Sequence, residues 1–135
     1  MTTYTWAYHD DGITALSFAN TTVADITVPY LAFKLDTTAQ NSVTLAGAGD
    51  EATFIGVHSW ENIPNKTNDM VGIKCLWFTP IVAGWTVAVG TELKLASGGK
   101  FVEAVSTNTV VAIALEAADA DEYLNAKLVA PYVKA

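Results

Sequence analysis

The sequence predicts an all-β protein, a single-domain β-sandwich or a barrel-like fold built from hairpins. Three observations favour this class. Apolar and polar residues alternate along much of the chain, which is the period of a strand. Short apolar runs in the C-terminal half are separated by Pro80, Gly84, Gly90 and the pair Gly98-Gly99, a regular punctuation typical of sandwiches and barrels. The best helix-forming segment, VVAIALEAADADEYLNAKLV (110–129), has no apolar face at helical spacing.

The N-terminal segment alternates, with Tyr4, Trp6 and Tyr8 on one side. The turn sequence HDDG follows, so residues 1–12 are predicted to be an extended arm and residues 13–135 the β-domain. A terminal segment is usually poorly ordered unless something holds it. The three aromatic residues are therefore candidate partner contacts, with the arm adding a strand to a neighbour. The alternative, equally supported, is that this strand completes its own sheet.

The next segments are predicted as strands with two irregularities. Segment 23–36 alternates around Pro29, which cannot donate a ladder hydrogen bond, so it is an edge strand or two strands meeting at a bend. Residues 43–47 form a short strand. Residues 52–60 alternate and then change phase, and Gly56 indicates a bulge or a close backbone approach there.

The C-terminal part is predicted as a hairpin followed by two strands. The hairpin covers 92–105, and its inward-facing residues are Leu93, Leu95, Phe101 and Val105. In the segment that favours a helix by propensity, Val111, Ile113 and Leu115 step by two. We therefore predict a strand at 109–116, an acidic connection at 117–122 and a strand at 123–130. A short helical turn near 117–122 stays open as an alternative.

Composition disfavours several classes of partner. The formal net charge is −7, and all seven basic residues are lysines. Because arginine supplies the bidentate fork for phosphates and guanine, nucleic acid is not an expected partner, and neither is an anionic membrane. No apolar run reaches the roughly 18 residues of a spanning helix, and no secretory signal is visible. Only 16 % of residues are charged against about 25 % in an average domain, which indicates that apolar surface is buried against partners.

No motif predicts catalysis, a metal site or a cofactor. GAGDEA (47–52) fits a nucleotide-binding pattern formally, but a strand follows it where a helix is required, so we interpret it as a turn. His58 is interpreted as a polar residue on an outward strand face, and DADE (119–122) as a solvated acidic loop because calcium-loop spacing is missing. Cys75 is the single cysteine, so there is no disulfide framework. The residues expected in the core include Trp60, Trp77 and Trp85.

The C-terminal half resembles a known family in the order of its small residues and hairpins. The matching residues are Gly84, Val87, Gly90, Leu93, Leu95, Gly99, Phe101, Ala112, Ala114, Leu115, Glu116, Ala117, Ala118 and Leu128. This run, within residues 79–130, is similar to the head decoration, or capsid cement, proteins of tailed bacteriophages. The resemblance implies an all-β protein, often a homotrimer, that clamps neighbouring major capsid subunits on the outside of the shell.

These expectations combine into a functional hypothesis. We expect a non-enzymatic structural protein, made in the bacterial cytoplasm and located on the virion surface. Its partners would be the major capsid protein, contacted through Tyr4, Trp6 and Tyr8, and further copies of itself. The alternative is a β-sandwich carbohydrate-binding module for adhesion that uses tryptophan and tyrosine platforms.

Overall fold

The computed structural model describes residues 15–22, 26, 28–58, 70–75 and 78–135, and over these the chain is all-β, as the sequence predicts. The N-terminal strands are β1 (Ala15–Asn20), β2 (Ala32–Leu35), β3 (Ser42–Leu45), β4 (Phe54–His58) and β5 (Met70–Lys74). The C-terminal strands are β6 (Phe78–Val82), β7 (Glu92–Leu95), β8 (Phe101–Glu103), β9 (Thr109–Ala114) and β10 (Tyr123–Val133). Short 3₁₀ turns at 50–52 and 97–99 are the helical elements of the described residues.

The N-terminal strands form a small closed barrel in the order β1-β3-β2-β4-β5. β1 closes it by pairing in parallel with β3 and antiparallel with β5. Closure pairs the strand edges with one another, which protects them from other chains. The apolar cluster of the barrel contains Phe18, Ile26, Leu31, Phe33, Val43, Ile73 and Val82.

Two irregularities predicted from the sequence are present in the barrel. Residues 28–30 form a bend before β2, and Tyr30 has a positive φ of 66°, so the bend beside Pro29 is confirmed. In the pairing of β2 with β4, Phe33 lies opposite Gly56 while Lys34 lies opposite Phe54. One residue of β4 is therefore unmatched, which confirms the bulge at Gly56.

The C-terminal strands form one antiparallel sheet in the order β6-β10-β9-β7-β8. In the predicted hairpin, Leu93, Leu95 and Phe101 are fully buried, as expected. Val105 is 58 % exposed, so its predicted inward position is wrong. β8 ends at Glu103, and the backbone N–H of Val105 donates to Asn108 Oδ1 in a turn that takes Val105 out of the alternating pattern.

The strand–connection–strand prediction for 109–130 is confirmed, with β10 continuing to Val133. The helical turn near 117–122 does not form. The backbone N–H and C=O of Ala118 are both bonded to Val87, at 3.1 and 2.9 Å, which removes them from any helical hydrogen bond. The chain then reverses in a turn where Asp121 has a φ of 68°.

The barrel and the sheet share one core. Ala32 and Val57 of the barrel belong to the same buried cluster as Leu93, Leu95 and Phe101 of the sheet. Hydrogen bonds also join the two halves: Gly99 N–H donates to the carbonyl of Ala46 at 2.8 Å, and Leu95 N–H donates to Glu51 Oε2 at 2.9 Å.

Candidate interaction surface

The aromatic residues chosen from the sequence, Tyr4, Trp6 and Tyr8, lie outside the described residues, as does the whole arm at 1–12. The arm therefore stays a prediction. Trp60 and Trp77 also lie outside the described residues.

The described residues contain no group of three or more histidine, cysteine, aspartate or glutamate side chains placed to hold a metal ion. GAGDEA forms a turn as predicted: Gly49 has a left-handed φ of 88°, and Asp50 Oδ2 accepts a hydrogen bond from Gly47 N–H at 2.8 Å. Cys75 is half-buried, and this burial raises the pKa of its thiol, which disfavours the reactive thiolate.

No helix among the described residues has the length and apolar character needed to cross a membrane.

His58 is fully buried, so its predicted outward position is wrong. The bulge at Gly56 changes the alternation of β4, and His58 lies opposite Ile73, a member of the barrel cluster. Its Nδ1 accepts a hydrogen bond from Leu31 N–H at 3.0 Å, and its ring meets Phe33 edge-on at 5.2 Å. Within the part of the chain that the structure describes, its Nε2 has no hydrogen-bond partner. Burial lowers the pKa of His58, outweighing the carbonyls of Leu31 and Val28, which favour the protonated ring.

This burial predicts that stability falls in mild acid. The pKa of His58 in the folded state lies below its ordinary value of 6.5, so the unfolded chain takes up the proton first. The stabilisation is complete above pH 6.5 and is lost as the pH falls below it, by at most about 1.4 kcal/mol per pH unit. We expect urea unfolding between pH 7.5 and 5 to show this loss in the wild type and not in His58→Leu. Parallel pH profiles for the two proteins would contradict the assignment.

Large apolar side chains are exposed at several places in the described structure, and Trp85 is the most exposed of them at 71 %. The set comprises Val28, Leu35, Phe78, Trp85, Val89, Val105, Leu115, Tyr123, Tyr132 and Val133. Trp85 was expected in the core, and that prediction is wrong. It lies with Gly84 in a bend that follows the end of β6, and Val87, two residues later, is buried in the core instead.

Trp85 lies on a hydrogen-bonded frame. Segments 83–91 and 114–122 run side by side and antiparallel. Six backbone hydrogen bonds of 2.7–3.1 Å join them: Ala83 N to Glu122 O, Asp121 N to Ala83 O, Val87 N to Ala118 O, Ala118 N to Val87 O, Gly90 N to Ala114 O and Ala114 N to Thr91 O. We call the exposed side chains of Trp85, Val89 and Leu115 on this frame the Trp85 surface.

The segment 114–122 of the same frame also carries exposed acidic side chains. They are Glu116, Asp119, Asp121 and Glu122. Two of them are held by backbone groups: Glu116 Oε1 accepts from Asn125 N–H at 2.8 Å, and Glu122 Oε1 accepts from Asp119 N–H at 2.9 Å. One lysine, Lys100, forms a salt bridge with Asp121.

A second exposed apolar group lies at the other end of β10, where Val105, Tyr132 and Val133 are exposed. The Tyr132 hydroxyl donates to Glu92 Oε2, and Lys134 Nζ lies 3.3 Å from Glu92 Oε1. The hydrogen bond from Tyr132 lowers the pKa of Glu92, with Lys134 adding to the effect, and the same bond raises the pKa of Tyr132. At this end the carboxylate of Glu92 is therefore paired with the ammonium group of Lys134.

No protein-family model and no curated protein matches this sequence. Among solved structures, the chain is similar to the crystal structure of the head fiber gp8.5 N base in bacteriophage phi29, with a TM-score of 0.59 and 16 % sequence identity. The similarity covers 85 % of this chain and 94 % of that chain. The two chains share a fold. Since the coverage is almost complete on both sides, the shared fold includes the barrel and the sheet together.

Proposed function

We propose that this protein is a non-enzymatic structural protein of a bacteriophage virion that binds the outside of the head, bridges neighbouring major capsid subunits and stabilises the shell. The observation that carries the proposal is the fold shared with a phage head fiber base over 85 % of the chain. The resemblance of residues 79–130 to head decoration proteins supports the same location from a different source.

The composition of the surface supports a protein that functions while bound to other proteins. Only 16 % of its residues are charged, and the described structure exposes ten large apolar side chains. Such side chains gain most when a partner removes them from water. Binding through several contacts at once would also slow dissociation. A protein held by one contact keeps its other contacts at a high effective concentration near the shell. Self-association into a trimer is part of the proposal.

The N-terminal arm supplies the first test. We expect the protein to co-sediment with purified phage heads that lack it, and a variant without residues 1–8 to bind at least tenfold more weakly. The reason is that three aromatic side chains filling pockets would carry much of the binding free energy. A full-length variant with Tyr4, Trp6 and Tyr8 changed to serine controls for the loss of backbone.

Circular dichroism should stay β-rich for both variants. Equal binding by wild type and both variants would refute the arm assignment. Absence of binding by the wild type would refute the proposed function.

A second candidate function is a carbohydrate-binding module for adhesion. It is favoured by one observation, the exposed indole of Trp85 beside carboxylates, since sugar rings can stack on an aromatic face while their hydroxyls donate to acidic groups.

A further inference from the structure

We propose that the Trp85 surface is a second docking site, and that its partner is a protein surface with lysine or arginine side chains around an apolar one. The inference rests on the proposed function for the identity of that partner, which we take to be the capsid shell. It adds a contact formed by residues of the β-domain to the one predicted for residues of the arm.

The first step is the exposure and the fixed position of Trp85. Tryptophan is the side chain most often found at the energetic centre of protein interfaces, and here 71 % of it faces water. Val89 and Leu115, on the same pair of hydrogen-bonded segments, are 68 % and 42 % exposed and add apolar surface to this frame. Because the backbone is already bonded on both sides of Trp85, binding does not have to order this segment, and less conformational entropy is lost.

The second step is the charge beside this apolar area. Segment 114–122 of the frame carries four exposed carboxylates, and within the described residues Lys100 is the lysine that forms a salt bridge with them, at Asp121. An apolar centre with a charged rim is the usual anatomy of a protein interface. The excess of negative charge favours a partner of the opposite sign and disfavours an acidic one.

The same charge argues against a second copy of this chain as the occupant. A two-fold contact through the Trp85 surface would place the acidic groups of both copies together, which costs free energy. A different face of the copy would need free cations. Of the six lysines in the described residues, three are already in salt bridges, Lys34 with Asp50, Lys100 with Asp121 and Lys134 with Glu92, so at most three others remain to meet the four carboxylates.

The other two side chains of the Trp85 surface favour a protein partner over a sugar. Val89 and Leu115 offer neither hydrogen bonds nor an aromatic face, so they contribute little to a hydroxyl-rich ligand. Both would bury area against an apolar side chain of a protein.

The experiment measures binding to purified heads that lack the protein. We expect Trp85→Ser to weaken binding at least tenfold and Trp85→Phe to restore part of it. Asp119→Lys should weaken binding at least threefold and reduce the dependence on salt. The matched control is Gln40→Ser, because Gln40 is exposed in the turn between β2 and β3 and belongs neither to the frame nor to the exposed apolar side chains. It should bind within twofold of the wild type.

Different failures have different meanings. If the wild type binds heads and Trp85→Ser binds equally, the docking site is refuted while the proposed function stands. If the wild type does not bind, both are refuted. If the wild type binds a glycan array and Trp85→Ser does not, the partner is a sugar and the protein-partner assignment is overturned. Unchanged circular dichroism and urea unfolding for each variant show that folding is not the cause.

Discussion

Replacing Gly56 with alanine is expected to lower the free energy of unfolding by more than about 3 kcal/mol. An added Cβ would lie 2.2 Å from the carbonyl oxygen of Lys74 and 2.8 Å from Ile73 Cγ2. The first of these atoms is backbone and cannot move without separating β4 from β5. That pairing is one of those that close the barrel, so the clash acts on the whole N-terminal half. Urea unfolding followed by circular dichroism measures the effect.

Gly49→Ala is the matched control for Gly56→Ala. Gly49 has a φ of 88°, but nothing lies within 4 Å of its added Cβ. The Gly49→Ala variant should therefore lose only about 1–2 kcal/mol of unfolding free energy, the conformational penalty of a left-handed alanine. Similar losses for the two variants would show that the close approach of β4 to β5 is not as tight as the structure has it.

Replacing Gly99 with alanine is the second large effect we expect, a loss of about 2–4 kcal/mol. The added Cβ would meet Leu45 Cδ1 at 2.8 Å, Leu31 Cβ at 2.9 Å and Ala32 N at 3.0 Å. These atoms belong to the barrel, whereas Gly99 precedes β8 of the sheet, so the substitution separates the two halves where they pack together. The measurement is again urea unfolding.

The neighbouring glycine gives a close control. Gly98 has a φ of 73° against 74° for Gly99, and nothing lies within 4 Å of its added Cβ. Gly98→Ala therefore carries the same backbone penalty, about 1–2 kcal/mol, without the steric one. If Gly98→Ala and Gly99→Ala unfold at the same urea concentration, the barrel and the sheet do not pack as the structure shows.

Much of the fold was predictable because its signals are local. The alternation in ELKL, the glycines of the following turn and the apolar return strand define a hairpin within a dozen residues. The segment 110–129 needed more care, since helix propensity and periodicity disagree there. Periodicity was the better guide because burial of alternate side chains outweighs small differences in propensity.

The predictions that failed concern residues whose burial depends on contacts distant in the sequence or on a break in the inward–outward alternation of a strand. The bulge at Gly56 was foreseen, but its consequence, turning His58 into the barrel, depends on pairing with β5. Trp85 looked like a core residue because valines surround it. Its exposure follows from pairing with a segment some 30 residues later, which also brings the acidic groups beside it. The Gly84 that precedes it was the local signal that the strand had ended.

The sequence therefore predicted that the protein has an interaction surface, but it did not predict that Trp85 is exposed. A charge-poor chain indicated an interaction surface, which the sequence placed on the arm, whereas the surface we propose lies at the exposed Trp85 of the β-domain. The proposed function can use both the arm and the Trp85 surface, because bridging neighbouring subunits requires at least two contacts. Each can be disrupted separately by the variants described above.

The proposed function is tested most directly by cryo-electron microscopy of the bacteriophage virion to which the proposal assigns this protein. We expect the β-domain to be resolved on the outer surface of the shell, as trimers that contact neighbouring major capsid subunits. Density for the protein only in the tail or inside the head, or its absence from the virion, would contradict the proposed function.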